Sequence, residues 1–315
     1  MSDPDPQTQR VAGFRSARMH GPLVVVAAAL AVALAGCAPQ ATRVEVPGQP
    51  LKIASWNLEH LAEADGLGCR PRSEADYASL RHYAEQLGAD VIAFEEVENA
   101  AAAARVFPPH QYRIVMSQRP ASGRHGFCGR DATAGPTIRD QKVGFAIRNG
   151  IDFTRNADLS ALAIGDPDLR WGVDITLKSG APLRLLAVHL KSGCSAGDDR
   201  EPCPILFEQV PVLQKWISER HAEGVPFAIL GDWNRRLALA DDVVWKRLNE
   251  GVPLLDAAEG KAATCVQRYP DFIDHIVLDP AAAARRVPGS FAEFTYGVAE
   301  DQHPSDHCPV SIRIE

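Results

Sequence analysis

The stretch FAILGDWNRRL, Phe227 to Leu237, passes from apolar to polar within a few residues. Its apolar start has the length and composition of a buried strand, and Gly231 ends that run. Asp232 and Asn234 follow at once, and each alone is explained by a turn or a helix cap, where Asp and Asn are common. Alternation along an extended strand predicts that Trp233 faces the opposite way, as a packing residue. Whether the stretch is only a turn depends on what the chain places beside it.

Polar side chains end or interrupt apolar runs at five further places. They are Asn57 and Glu59 after KIASW, Glu95 and Glu96 after DVIAF, His189 after LRLLAV, Asp274 in FIDHIVL, and Asp306 and His307 before the last apolar run. Each one alone is most simply a loop residue, a solvated strand end or a core histidine. Together they would form one pocket of carboxylates, amides and imidazoles, provided that the strand ends meet.

Many short apolar runs and few helices predict an α/β domain of two packed β-sheets flanked by helices. The predicted strands are LKIASWNL, ADVIAFEEV, YRIVMS, KVGFAIR, WGVDITLK, PLRLLAVHLK, FAILGDW, DFIDHIVL and CPVSIRI. A first helix is predicted between Ser73, its N-cap, and Gly88, its stop, because Asp76 completes a capping box. Further helices are predicted over Ile205 to Glu223 and near Asp242 to Asn249.

The N-terminal residues predict export and lipidation. Arginines precede the apolar run Leu23 to Ala35, which is too short to span a bilayer and is typical of a signal peptide. The next residues, LAGC, resemble the lipobox of bacterial lipoproteins, so Cys37 is the predicted lipidation site. A plain secretory signal and a weak membrane anchor are the alternatives, and translation starts at either Met1 or Met19.

This N-terminus divides the chain into three predicted parts. Residues 1–37 are the lipoprotein signal peptide, and residues 38–50, with three prolines, are a flexible tether. Residues 51–315 contain no repeat and no second linker, which predicts one domain. The predicted location is the bacterial cell envelope, facing the periplasm or the exterior.

The six cysteines after Cys37 are consistent with an oxidising compartment, where disulfides persist. Only the pair Cys194 and Cys203 is predicted, because the polar loop between them suits a local bridge, and sequence cannot pair the others. No CxxC pair is present, which disfavours a structural zinc site.

Charge gives a mixed indication of the partner. The net charge of −7 disfavours non-specific binding of polyanions, which depends on lysine and arginine displacing counterions. The Gly- and Arg-rich stretch Ser117 to Lys142 is an exception. It is either a local basic patch that faces nucleic acid or a solvated loop pinned by a disulfide.

The polar set has the chemistry that metal-assisted phosphoryl transfer requires. Mg²⁺ prefers carboxylate and carbonyl oxygens, and it lowers the pKa of a bound water while polarising the phosphate. A carboxylate can accept the proton of the attacking water, and an imidazole can donate to the phosphate as charge builds there. Mg²⁺ is the expected cofactor, with Mn²⁺ or Ca²⁺ as alternatives.

The ordered motifs SWNLE, FEEVE, LAVHLKSG, LGDWNR, DFIDHIV and SDH resemble the endonuclease/exonuclease/phosphatase superfamily over residues 51–315. That superfamily includes pancreatic-type deoxyribonucleases, apurinic-site endonucleases, bacterial sphingomyelinases and inositol polyphosphate phosphatases. The resemblance implies a four-layer αββα sandwich of two mixed β-sheets flanked by helices. It also implies an active site at one end of the sheets.

The resemblance implies a role for each residue of the pocket. The implied metal ligands are Glu96, Asn57, Glu59 and Asp306. Asn57 and Arg170 are implied to contact the substrate phosphate. The implied catalytic residues are Asp232 and Asn234 at the attacking water, His307 as a donor to the phosphate, Asp274 orienting His307, and His189. Many members carry Gln-Glu where this chain has Glu95-Glu96, and the extra charge would either tune metal affinity or repel substrate.

The superfamily leaves the substrate open, because one fold carries several phosphoesterase activities. The preferred interpretation is a metal-dependent nuclease, with nucleic acid favoured over phospholipid and no protein partner predicted. A phospholipid (sphingomyelinase-like) or small-molecule phosphoesterase is the first alternative. The sequence shows no clear apolar hairpin for entering lipid, since the segment Phe291 to Gly297 is short and could equally be core. A catalytically silent binding lipoprotein is the second alternative, and the complete set of catalytic side chains argues against it.

Overall fold

The computed structural model describes residues 49–123, 126–129 and 132–315. The predicted signal peptide, Cys37 and nearly all of the tether lie outside these residues. Among the described residues, no helix has the length and apolar character needed to cross a bilayer.

The described chain contains twelve strands and five α-helices. The strands are β1 Leu51–Leu61, β2 Val91–Val97, β3 Tyr112–Met116, β4 Lys142–Arg148, β5 Phe153–Arg155, β6 Val173–Leu177, β7 Leu183–His189, β8 Phe227–Asp232, β9 Leu255–Asp256, β10 Asp274–Leu278, β11 Ala292–Glu293 and β12 Val310–Ile314. The helices are α1 Glu74–Leu87, α2 Ala100–Val106, α3 Cys203–Glu223, α4 Val243–Leu248 and α5 Pro280–Arg285.

The strands form two six-stranded mixed sheets. The first sheet has the order β11-β12-β1-β2-β4-β3, and the second has the order β5-β6-β7-β8-β10-β9. The pairs β1/β2 and β7/β8 are parallel, and the other pairings within the sheets are antiparallel. Parallel neighbours place their carboxyl ends at the same edge of a sheet, so each sheet brings two strand ends together.

Three apolar layers hold the sheets and helices together. Side chains from the two inner sheet faces, among them Phe145 and Leu185, form the central core. The outer face of the first sheet packs on α1 and α2 around Trp56, and the outer face of the second packs on α3 and α4 around Trp216. The architecture is therefore the predicted four-layer αββα sandwich.

Local sequence signals set the ends of the longer elements. The Asp76 carboxylate accepts hydrogen bonds from the Ser73 N–H and hydroxyl, and Gly88 closes α1 in the left-handed conformation with φ 57°. All nine predicted strands and all three predicted helices are present. The predicted bridge between Cys194 and Cys203 is also present, together with Cys69–Cys128 and Cys265–Cys308.

Candidate active site

Asp232 is the centre of the polar cluster at the strand ends. Its carboxylate is 1% exposed and accepts a hydrogen bond from Asn57 Nδ2 at 3.1 Å. His189 Nε2 lies 3.4 Å and His307 Nε2 3.9 Å from the same oxygen, and the Asn234 N–H donates to the other oxygen at 2.8 Å. Residues from four separate chain segments thus meet on one buried carboxylate.

The position of Asp232 follows from the backbone around Gly231. Gly231 has φ 152°, and an added Cβ would overlap the carbonyl of Val188 in the neighbouring strand β7. Only glycine therefore allows β7 and β8 to pair this closely, with His189 in register with Asp232. Trp233 is fully buried on the outer side of this sheet, as alternation predicts.

Burial changes the protonation of the two groups that face each other here. It raises the pKa of Asp232 to about 7, partly against the opposing effect of His307. Burial also lowers the pKa of His189 well below 6.5, and the charge of Arg170 acts in the same direction. His189 is therefore neutral at physiological pH, and Asp232 is suited to accept a proton.

His307 is held in the charged form by carboxylates. Its Nδ1 lies 2.7 Å from Asp274 Oδ2, and strand pairing places Asp274 in register with Asp232. Burial alone would lower the pKa of His307, but Asp274 and Asp232 raise it well above 6.5. Ser305 fixes the loop, since its hydroxyl donates to the Asn57 carbonyl at 2.7 Å and accepts from the His307 N–H at 3.2 Å.

Irregularities in β1 and β2 shape the backbone that carries the acidic side chains Glu59 and Glu96. The register shifts after Asn57 in β1 and after Phe94 in β2. Glu59, His60, Glu96 and Asn234 all have φ between 44° and 60°, a region that residues other than glycine seldom adopt. Such strained positions concentrate at functional sites.

Glu96 lies between two histidines. Its Oε1 is 3.9 Å from His189 Nε2, and its Oε2 is 3.7 Å from His60 Nε2 and accepts from the His60 N–H at 3.1 Å. His60 also contacts Gln141 Nε2 through Nδ1 at 3.1 Å. Sequence reasoning missed His60, although its place directly after Glu59 in WNLEH was a usable signal.

Glu59 and Asp306 form a second acidic pair. The Asp306 N–H donates to Glu59 Oε2 at 3.0 Å, and Arg70 Nη1 lies 3.0 Å from the same oxygen. Burial raises the pKa of Glu59, and the neighbouring Asp306 charge raises it further. A cation beside these carboxylates would offset their repulsion.

The donor set fits a hard divalent cation. The predicted ligands Glu96, Asn57, Glu59 and Asp306 supply oxygen donors, although Glu96 lies against the histidines while Glu59 and Asp306 lie together. Two groups in the described residues have three ligand atoms within 4.8 Å of one another, Asp232-Asp274-His307 and Cys265-His303-Cys308. The second group includes a disulfide, which leaves no thiolates for a metal.

Arg170, the predicted phosphate contact, lies beside the cluster. Its Nη2 donates to the Leu190 carbonyl at 3.0 Å, and the same carbonyl accepts from Asn234 Nδ2 at 3.2 Å. The structure therefore brings Arg170 to the side of the site that holds His189 and Asn234.

Two arginines in the described part of the stretch Ser117 to Lys142 have acidic partners. Arg119 is 3% exposed and pairs with Asp140 at 3.3 Å, and Arg139 pairs with Glu98. Cys128 ties the stretch to Cys69. These contacts support the interpretation as a disulfide-pinned loop.

Arg235 is a further residue whose role sequence reasoning did not find. It is 1% exposed and lies 2.6 Å from Asp242, the N-cap of α4. Its Nη1 donates to the carbonyls of Cys194 and Gly197 at 3.0 and 2.7 Å. Arg235 therefore connects the chain just after Asp232 to the loop that the Cys194–Cys203 disulfide closes.

The fold and this cluster define a class of phosphoesterase. The chain belongs to the Endonuclease/Exonuclease/phosphatase family, whose profile matches residues 54–307. The comparison of this chain with curated protein sequences found no match. Family membership indicates a phosphoesterase enzyme.

Several solved structures share the fold at low sequence identity. Truncated TDP2 of Caenorhabditis elegans is 16% identical with a TM-score of 0.56, and the match covers 86% of this chain and 100% of that one. TDP2 of D. rerio, complexed with single-strand DNA product, is 18% identical with a TM-score of 0.59, covering 84% and 98%. The 3′ phosphatase NExo from Neisseria, bound to a product DNA hairpin, is 18% identical with a TM-score of 0.53, covering 84% and 99%.

Proposed function

We propose that this protein is a divalent-metal-dependent phosphodiesterase that acts on nucleic acid by attack of water on phosphate. The observation that carries the proposal is the convergence on Asp232 of Asn57, His189, Asn234 and His307. A binding protein has no need for a buried base, an orienting amide and a charged imidazole at one point. The cluster therefore argues for catalysis over a silent binding role.

Each side chain has a role that its surroundings support. Asp232, with its pKa raised to about 7, accepts the proton of the attacking water, and Asn234 orients that water. His307, kept protonated by Asp274, donates to a phosphate oxygen as negative charge develops. Neutral His189 donates a further hydrogen bond, to Asp232 or to the phosphate.

Asn57 and Arg170 complete the phosphate site in this proposal. Arg170 supplies positive charge next to His189, and Asn57 links Asp232 to the acidic side of the pocket. The cation would be held by Glu96, Asn57, Glu59 and Asp306, and when bound it would polarise the phosphate and acidify water. Mg²⁺ is proposed, because carboxylate and amide oxygens are its preferred donors.

The substrate proposal favours nucleic acid over phospholipid. Phe291 and Tyr296, the large side chains at the ends of the segment that might have entered lipid, are 8% and 4% exposed and belong to the core. Two of the structural neighbours are complexes with DNA products, which supports the same choice. We further propose that the protein is exported and anchored in the cell envelope by a lipid on Cys37.

The test is hydrolysis by the purified full chain in detergent. Single-stranded DNA, plasmid DNA, RNA, sphingomyelin and bis(p-nitrophenyl) phosphate are each incubated with Mg²⁺ or with EDTA. We expect Mg²⁺-dependent cleavage of nucleic acid, and Asp232→Asn and His307→Ala are expected to lower kcat by roughly 10²- to 10⁴-fold.

Asp241→Asn is the matched control, because that carboxylate is 86% exposed and pairs only with Lys246 among the described residues. It should cleave at the wild-type rate. Cleavage of sphingomyelin alone would overturn the substrate assignment, and equal rates for Asp232→Asn and Asp241→Asn would overturn the catalytic one.

A further inference from the structure

A cleft of about 1000 Å³ opens beside the active site, and most of its wall has no role in the proposed chemistry. Asp274, His307 and Glu59 line this cleft, and so do most residues of the segment 263–273, which leads into strand β10. A substrate whose phosphate reaches His307 therefore has this segment in the wall of the same cleft.

The segment 263–273 is fixed relative to His307. Cys265 is bonded to Cys308, the residue directly after His307. The Glu293 carboxylate accepts from the Thr264 N–H and hydroxyl at 2.8 and 2.6 Å and from the Cys265 N–H at 3.3 Å. Backbone hydrogen bonds also form within the segment. The Ala263 N–H donates to the Pro270 carbonyl, and the Tyr269 N–H donates to the Val266 carbonyl. It presents a preformed surface, which lowers the ordering cost of binding.

The charges of the cleft do not suit a run of phosphates. Carboxylates outnumber arginines in its lining. Three of the four arginines in its lining have acidic partners: Arg70 with Glu59 at 3.0 Å, Arg236 with Asp271 at 3.7 Å and Arg268 with Glu300 at 3.6 Å. Binding along a polyanion requires cations that can replace its counterions. Recognition in this cleft must therefore use groups of the substrate other than successive phosphates.

Tyr269 offers such a contact. It is 50% exposed, the highest value among the large apolar side chains exposed in the described residues, and it lines the cleft. The Arg268 guanidinium lies 4.9 Å from its ring centroid, and Arg268 Nε lies 3.6 Å from Glu300 Oε1. An aromatic face beside a guanidinium is a surface on which nucleobases stack regardless of their sequence.

We propose that Tyr269, supported by Arg268, stacks on the face of an unpaired or terminal nucleobase next to the scissile phosphate. The inference rests on the proposed function and specifies its substrate as single-stranded or frayed nucleic acid. Bases inside a duplex are already stacked on both faces, so unstacking would be required before Tyr269 could contact them. A phospholipid carries no such planar group.

The test compares base-bearing with abasic substrate, using the full chain and Mg²⁺. The substrates are a single-stranded oligodeoxynucleotide, the same sequence as a duplex, and an abasic deoxyribose phosphate polymer of equal length. The variants are Tyr269→Ala, Tyr269→Phe and Phe127→Ala, an exposed aromatic (38%) that does not line the cleft. Quenching of 2-aminopurine in the oligonucleotide, measured in EDTA, reports stacking without cleavage.

We expect Tyr269→Ala to lower the ratio of kcat/KM for the base-bearing strand to that for the abasic polymer by roughly 5- to 100-fold. It should also lose the 2-aminopurine quenching. Tyr269→Phe keeps the ring and should keep both properties, and Phe127→Ala should match the wild type. The duplex should be cleaved more slowly than the single strand.

Two results would overturn the inference while leaving the proposed function intact. One is an unchanged ratio in Tyr269→Ala, and the other is equal cleavage of duplex and single strand. If the wild type cleaves none of these three substrates, nor the RNA of the hydrolysis test, the proposed nuclease function fails. Quenching of 2-aminopurine by the wild type and by Tyr269→Phe, but not by Tyr269→Ala, would then still support the base-stacking site. Absence of quenching by the wild type would rule that site out.

Discussion

Replacing Asp274 by Asn tests the proposed role of His307 most directly. The carboxylate lies 2.7 Å from His307 Nδ1, and its charge helps to raise the pKa of that imidazole well above 6.5. A hydrogen bond to a charged group contributes about 1.5–3 kcal/mol. Its loss should lower the pKa of His307, and at about 1.36 kcal/mol per tenfold change it should weaken proton binding by roughly 10- to 100-fold.

The sign of the pH effect follows from the donor role. His307 must be protonated to donate to the phosphate, so activity falls as pH rises through its pKa. In Asp274→Asn this alkaline limb should move to lower pH by about 1–2 units. At pH values below the alkaline limbs of both the wild type and Asp274→Asn, the loss of activity in the variant should be small. Between the two limbs the loss should grow to roughly 10- to 100-fold.

The assay is kcat/KM on a single-stranded oligonucleotide across the pH range at constant ionic strength, with the His307 ring titrated by NMR in parallel. Asp256→Asn is the matched control. Asp256 makes the equivalent contact, at 2.8 Å, to the buried ring of His275, outside the proposed chemistry. It should lower stability without moving the alkaline limb. An Asp274→Asn limb at the wild-type position, or one loss at every pH, would refute the reasoning.

Three further predictions concern the metal, the turn at Gly231 and the fixed segment beside His307. EDTA should abolish hydrolysis and Mg²⁺ should restore it; activity that persists in EDTA after dialysis would exclude the metal proposal. Gly231→Ala should lower the free energy of unfolding by about 1–3 kcal/mol, because the added methyl group overpacks against Val188, and it should lower kcat about 100-fold. The control Gly224→Ala, in the left-handed cap of α3, should lower the free energy of unfolding by about 1 kcal/mol and leave kcat unchanged. Replacing Cys265 and Cys308 by Ser opens a bridge that spans 43 residues and should cost about 4 kcal/mol in denaturant unfolding; an unchanged midpoint would contradict this.

The larger elements could be predicted because their signals are local. The ends of α1 follow from Ser73, Asp76 and Gly88, and the central strands from short apolar runs. The helices α2 and α5 were not predicted, because such short helices depend on packing and show no clear periodicity. The edge strands β5, β9 and β11 have three residues or fewer and are defined only by their partners.

The proximity of the polar side chains was more predictable than their arrangement. The structure places Asn57, His189, Asp232, Asp274 and His307 in contact, as the shared positions at strand ends suggested. The contacts of Glu96 with the histidines and of Glu59 with Asp306, and the cleft beside His307, depend on bulges and on disulfides between distant segments. Sequence reading has no local signal for either feature.

Glu95 shows how the fold can resolve an ambiguity of the sequence. The resemblance described in the sequence analysis leads us to expect Gln at this place, and the extra carboxylate suggested an additional negative charge in the site. The side chain is fully buried, Ser55 Oγ is 3.3 Å from its Oε1, and its other oxygen has no hydrogen-bond partner among the described residues. Burial raises the pKa of Glu95 well above 4.5, and Asp274 and Asp232 raise it further. A raised pKa favours the protonated form, which is neutral and can donate a hydrogen bond as an amide does, so burial works against the extra negative charge that the sequence suggested.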